Sequence, residues 1–295
     1  MNKILSVFIF FSAIVVSMDI FPHDHSDIQS GYAALDEPVP EPTQYDWLAH
    51  NNEPGQTYEE FLRVYDKNEY KDKKRIYIQP IGKFTKEQRI IIMKTAQFIK
   101  LYYGFDVIPA ADIRSADVPA DARLKSRYDG TLQYIPSRLI EDLLLPSKPS
   151  DAAAVIGVTA VDLCPGQGWN FVFGLATPDD NLGVWSLYRF GRTDNKKDFN
   201  QALLRMIKTA VHETGHMFSI THCINARCIM NGTNHIKELD SVPLYLCSEC
   251  FQKIQTVNCQ DPVQRCRSII KWLDENGFDE ITPEYSKRLS LLEKQ

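Results

Sequence analysis

Two histidines four residues apart with a glutamate directly after the first, His212-Glu213-Thr214-Gly215-His216, and a third, His222, ten residues after the first, constrain this chain more than any other feature. Residues four apart share one helix face, so both imidazoles of the pair can reach a single ion at the roughly 2.0–2.1 Å that zinc requires. Glu213 projects beside such a metal rather than onto it, where it can accept a proton from water that the metal has acidified. A chain leaving the helix can swing His222 back onto the same ion. Three imidazole ligands leave one tetrahedral position for water, the arrangement of a catalytic rather than a structural site. Met230, eight residues after His222, falls where a turn beneath the metal is expected. The five-residue pattern alone arises by chance in roughly one chain in a hundred of this composition, and the continuation to His222 and Met230 makes it specific.

Cysteine placement supports a second local site. Of the seven cysteines, all except Cys164 fall between positions 223 and 266. Cys223, Cys228 and the Cys247/Cys250 pair have the short spacings of a tetrahedral zinc site, while disulfides are the alternative in an exported chain. The spacing favours zinc. A site filled by four protein ligands cannot activate water, so this metal would be structural, pinning the loop beside His222. Cys259 and Cys266 are candidates to pair with each other, and Cys164 reads as a lone thiol.

The run His212-Glu213-x-x-His216-x-x-Ser219-x-x-His222-Cys223-x4-Cys228-x-Met230, then Cys247-x2-Cys250, resembles the archaemetzincins, whose hallmark is a metzincin zinc motif running into a four-cysteine zinc site. The resemblance extends over roughly residues 73–260 through Tyr77-Ile78-Gln79-Pro80-Ile81-Gly82, Gly157-Val158-Thr159 and Trp169-Asn170-Phe171-Val172-Phe173-Gly174. It implies a zinc-dependent peptidase, aminopeptidase-like or acting on small peptides, with two Zn2+ per chain. His212, His216 and His222 would hold the catalytic ion, Glu213 would act as general base on zinc-bound water, and Met230 would form the Met-turn. Cys223, Cys228, Cys247 and Cys250 would hold the structural ion. The segment Trp169, Asn170, Phe171, Val172, Phe173 and Gly174 would be an edge strand to which a peptide substrate adds through backbone hydrogen bonds. One departure stands out: Ser219 occupies the position where the family has Gly, a helix end with positive φ, at a cost of about 1 kcal/mol unless the turn is reshaped. The alternative from another class is a zinc-stabilised binding protein that keeps the site without turnover.

Periodicity places these residues on a mixed α/β (α+β) scaffold. Strands are expected at Arg75–Gln79, Phe105–Ile108, Ala153–Val161, Trp169–Ala176 and Gly183–Phe190, interleaved with helices. Thr85 with Gln88 forms a capping box, and Gly104 sits where a left-handed cap ends that helix. The stretch from Asp198 to Phe218, with Leu203, Leu204, Ile207 and Val211 on one face, is the expected active-site helix. Helical segments follow near residues 263–276 and 283–293. The expectation is thus a metzincin-like mixed sheet packed on the active-site helix, then a smaller, mostly helical, zinc-stabilised C-terminal subdomain. The boundaries read as 1–17 signal peptide, 18–72 polar Pro-containing linker, and 73–295 catalytic domain, divided at 218/219.

Charge and the N-terminus bound the partners. With 33 basic and 38 acidic side chains the net charge is -5, without the basic excess that favours nucleic acid or anionic membranes. Lys3 followed by an uncharged stretch from Ile4 to Met18 reads as an export signal, too short for the roughly 20 apolar residues of a bilayer span. An uncleaved anchor or a cytoplasmic chain is the alternative. The expected partner is a peptide or protein substrate, and the chain is expected to be a monomer.

Overall fold

The computed structural model describes residues 31–166, 168–258 and 260–294. The expected signal segment and Cys259 lie outside these residues.

The scaffold is a five-stranded sheet, built from strands β1 (Arg75–Ile81), β2 (Asp106–Pro109), β5 (Ala152–Thr159), β7 (Gly174–Thr177) and β8 (Leu182–Ser186), in the order β2-β1-β5-β8-β7. Strands β2, β1, β5 and β8 run parallel, and β7 pairs antiparallel with β8 at the edge. A small sheet of β3 (Arg123–Lys125), β4 (Leu132–Tyr134) and β6 (Asp162–Leu163) stands beside it. The central strand β5 is buried along its whole length, as a strand covered on both faces must be, which is why it reads as the apolar run Ala-Ala-Ala-Val-Ile-Gly-Val. Ile156 and Val158 of β5 join the larger core, whereas Ala152 and Val155 join a second cluster with Leu139, Ile140 and Leu144.

The helices referred to below, named in chain order, are α1 (Trp47–His50), α2 (Tyr58–Val64), α3 (Lys86–Tyr103), α4 (Pro136–Leu139), α5 (Lys196–Met217), α6 (Ile236–Ser241), α7 (Ser248–Asn258), α8 (Pro262–Asn276) and α9 (Thr282–Leu292). The capping box of Thr85 and Gln88 and the left-handed Gly104, at φ 75°, bound α3 as its sequence dictates. Asn195 caps α5 by accepting from Asp198 N. The long helices α3 and α5 pack together in the larger core, and α8 closes on α3 through an edge-on contact of Trp272 with Phe98, 5.0 Å between ring centres. Among the described residues no helix is long and apolar enough to cross a membrane.

Two expectations are corrected. Residues 31–72 are not a peripheral spacer: Tyr32, Phe61, Tyr65 and Tyr70 are buried in the larger core. Tyr32 stacks on Phe251 at 4.3 Å, and Phe61, Tyr65 and Tyr70 form a stacked series that ends against Phe218. The polar sequence between these aromatics hides the fact that a few large rings suffice to anchor an irregular chain. Likewise the expected strand over 169–176 begins only at Gly174. The chain before it crosses to the small sheet, where Val172 N donates to Leu163 O, while Phe173 O still accepts from Ser186 N.

Candidate metal centre and cleft

Helix α5 presents His212, Glu213 and His216 on its last two turns, and the chain then reverses at once. Ser219 takes φ 63°, with Ile220 N donating to Gly215 O and Ser219 N to His216 O. That pair of bonds is a Schellman ending with serine in the left-handed position usually held by glycine. The reversal returns His222 to the helix, and ring centres of His212, His216 and His222 lie 4.6–5.2 Å apart. One nitrogen of each ring falls within 4.8 Å of the others.

The hydrogen bonds of the three rings fix their tautomers. His212 Nδ1 lies 2.9 Å from Ile229 O and His216 Nδ1 2.7 Å from Ile220 O. A carbonyl can only accept, so each Nδ1 carries the proton and each neutral ring keeps a lone pair on Nε2. Those two Nε2 atoms face each other at 3.0 Å. Two lone pairs at that distance repel, and a shared cation turns the repulsion into coordination; ligands at about 2.0–2.1 Å around a tetrahedral ion stand roughly 3.3 Å apart. His222 Nδ1 meets Glu53 Oε1 at 2.7 Å, which leaves its Nε2 free in the same way. Burial, followed by the neighbouring histidines, pushes His212 well below the ordinary histidine value, and burial pushes His216 down to about 4, so both are held neutral as ligands must be. The donor set therefore fits zinc.

Glu213 leans against the edge strand. Its Cγ and Oε1 lie 3.2 Å from the point where a β-carbon on Gly174 would stand, so any larger residue there would press on the carboxylate. Burial pushes the Glu213 carboxyl up to about 7, near the range in which a carboxylate both accepts and returns a proton. Met230 is buried with its sulfur packed on Gly215, where an added β-carbon would meet Sδ at 2.7 Å. It lies where the turn was expected.

A cleft of about 270 Å³ opens over these residues, between the segment ahead of β7 and the loop after His222. Of the segment read as substrate-binding, Trp169, Phe171, Val172, Phe173 and Gly174 line it and Asn170 does not. The Asn170 side chain accepts from Arg127 and Tyr128 at 2.6 and 2.7 Å, and its carbonyl accepts from Gln133. It braces the segment from behind.

Cys223, Cys228, Cys247 and Cys250 converge, all buried, with their sulfurs within 4.8 Å of one another. No disulfide joins them. Cys223 Sγ stands 3.5 Å from Cys247 Sγ, far beyond the roughly 2.05 Å of a disulfide, so the disulfide alternative does not describe this quartet. The amides of Met230 and Cys247 point at Cys228 Sγ from 3.5 and 3.4 Å, donors that suit a thiolate. Hydrogen bonds from Cys228, Cys247 and Cys250 hold the Cys223 thiol far down, whereas burial drives Cys228 up. Four buried sulfurs gathered around one point fit a dication that holds them as thiolates. A third group, Asp46, His235 and Glu238, is also close enough to hold an ion. Its atoms are already satisfied: His235 Nδ1 accepts from Glu238 N and its Nε2 donates to Asp46, while Glu238 accepts from Trp47 N and Asn234 N.

Sequence reasoning missed Glu53 and Trp47, which reach the site from the segment read as a linker. The one signal was a tryptophan in an otherwise polar, Pro-containing stretch. It also missed Lys208 and Thr209, which line the cleft one turn before His212.

A family model described as Peptidase family M54 matches residues 147–256. The chain is 31% identical over 278 residues to an Archaemetzincin-2 from Macaca fascicularis, over 82% of this chain and 76% of that relative. It is 30% identical over 182 residues to an Archaemetzincin from Thermococcus kodakarensis, over 61% of this chain and 94% of that relative. Among solved structures, an archaemetzincin from Methanopyrus kandleri matches with a TM-score of 0.51 at 25% identity, over 63% of this chain and 97% of that chain.

Proposed function

This chain belongs to the archaemetzincin family and is a zinc-dependent peptidase, and we propose that His212, His216 and His222 hold its catalytic zinc while Glu213 is the general base. The observation that carries the assignment is the convergence of three Nδ1-anchored rings in a cleft that Glu213 also lines. Zinc held there supplies Lewis-acid polarisation of a carbonyl and acidification of water. Glu213 takes the proton that water gives up on attack and returns it to the amine nitrogen of the departing half. Its place against Gly174 sets that proton transfer next to the strand edge where the substrate backbone lies.

The substrate peptide is proposed to extend along the free edge of β7, at Gly174–Thr177, with the apolar side chains of Trp169, Phe171 and Phe173 around it. A cleft of about 270 Å³ suits a short peptide or a chain terminus. Cys223, Cys228, Cys247 and Cys250 are proposed to hold a second, structural zinc. The amide of Cys223, next to His222, donates to Met230 O at 2.8 Å, so this site would stiffen the loop that carries the third histidine.

The test is Glu213→Gln, which keeps shape and removes the base. Peptide hydrolysis is expected to fall by about 10²–10⁴-fold with zinc content unchanged. Hydrolysis at the wild-type rate by this variant would overturn the role of Glu213.

A further inference from the structure

Two of the three histidines are oriented by backbone that follows them closely: His216 by Ile220 O and His212 by Ile229 O. His222 differs. It stands in irregular chain, and its Nδ1 partner is a side chain 169 positions earlier, Glu53, at 2.7 Å. Glu53 is fixed in turn, since Trp47 Nε1 donates to the same Oε1 at 2.7 Å and the Trp47 ring meets the His222 ring edge-on at 5.1 Å. Both the tryptophan and the glutamate are held by a strap that crosses the site. At one end Asp46 binds His235 and Trp47 N donates to Glu238, at 3.0 and 2.9 Å. At the other, the Gln56 side chain donates to Ser219 O at 2.9 Å and accepts from Thr221 N, spanning the reversal between His216 and His222. Gly232 makes room for the strap, for a β-carbon there would stand 2.4 Å from the Trp47 ring.

We propose that Glu53 is the positioning residue of the third ligand, so that residues 46–56 are an integral part of the metal site and His222 is competent only with this strap in place. A carboxylate on Nδ1–H fixes the tautomer with the lone pair on Nε2, holds the ring plane, and makes the ring a stronger donor. Without Glu53, the His222 ring turns about its side-chain bonds and the ion is held by two firm ligands and one loose one. The proposal rests on the reading of His212, His216 and His222 as zinc ligands.

The test uses the full chain loaded with zinc and carried through increasing concentrations of a chelator, with zinc per chain measured at each step. Wild type is compared with E53Q, E53D, E53A and H212A. E53A is expected to release the histidine-site ion at a roughly 10- to 100-fold lower chelator concentration. E53Q, whose amide oxygen still accepts from Nδ1–H without a charge, should fall between, and E53D should recover part of the loss. As a readout independent of metal release and activity, the downfield proton resonance of His222 Nδ1–H should move upfield in E53Q. Should E53A fail to fold, the near-isosteric E53Q decides through both measurements. Wild-type retention of zinc by E53A and E53Q, or a ring-proton resonance unmoved in E53Q, overturns the role of Glu53 while H212A still loses its ion. If H212A also keeps every ion as wild type does, the histidine cluster is no zinc site and both readings fail.

Discussion

Glu213 Oε1 sits 3.2 Å from the place a β-carbon would take on Gly174, so the proposed base stands close beside the edge strand. The same β-carbon would stand 3.0 Å from Trp185 Cβ, a rigid neighbour. Gly174→Ala must therefore displace either the strand or the carboxylate. The neighbours must give by a few tenths of an ångström, so turnover number is expected to fall severalfold, less than the roughly 10²-fold of a 1 Å misplacement, with a smaller change in KM and with zinc content intact. Unchanged steady-state constants would show that the contact is not used.

The two proposed metal sites differ in chemistry, which predicts separable losses. His212→Ala is expected to remove one zinc per chain and abolish hydrolysis, because two rings alone hold the ion weakly. Cys223→Ser is expected to remove the other zinc and to lower thermal stability, since a structural site contributes folding free energy directly. Metal analysis of both variants beside wild type checks this. A single zinc in the wild type would leave the quartet as plain thiols.

Ser219 holds φ 63° at the left-handed position of the turn that ends α5. Ser219→Gly relieves that strain while keeping both backbone bonds of the Schellman ending. After the extra unfolded-chain entropy of glycine is subtracted from the roughly 1 kcal/mol of strain, stability should rise by up to about 0.5 kcal/mol. Thermal melts of the metal-loaded protein measure it; a loss of stability would mean that the serine side chain contributes more than its backbone costs.

Lys208 is buried on α5 and donates from Nζ to Leu239 O and Asp240 O at 3.0 and 2.9 Å. Burial pushes its pKa down to about 8, from 10.5 in the unfolded chain. Between those values the unfolded chain binds the proton that the folded chain has released, so stability from this group rises with pH; its cost is full below pH 8 and gone above 10.5. Lys208→Met lacks this dependence. The stability difference, wild type minus variant, should therefore climb by on the order of 3 kcal/mol from pH 8 to 10.5. Chemical denaturation across that window reads it, and a flat difference would refute it.

The parts legible in the sequence are those with local causes. Thr85, Gln88 and Gly104 bound α3 because caps act within one turn, and the apolar face of α5 put His212, Glu213 and His216 on a helix at the right spacing. The buried run of β5 was equally plain. The segment from Trp169 to Phe173 misled because its apolar residues alternate like a strand; Val172 in fact binds the small sheet through Leu163, and the regular ladder starts only at Gly174. Nothing near Asn170 shows that it turns away to Arg127 and Tyr128.

By itself, the order of residues determined which groups come together: three histidines, one glutamate and four cysteines at spacings that a helix end and a tight loop convert into two clusters. Tertiary structure alone decided what holds those groups still. Ile229 O and Ile220 O select the tautomers of His212 and His216, Gly174 sets the place of Glu213, and Glu53 reaches His222 from the far side of the chain. Ligand spacing repeats with the helix and is written locally. A hydrogen bond across 169 residues has no period and no neighbouring signal, so it exists only once the strap has packed through Trp47 against the folded site.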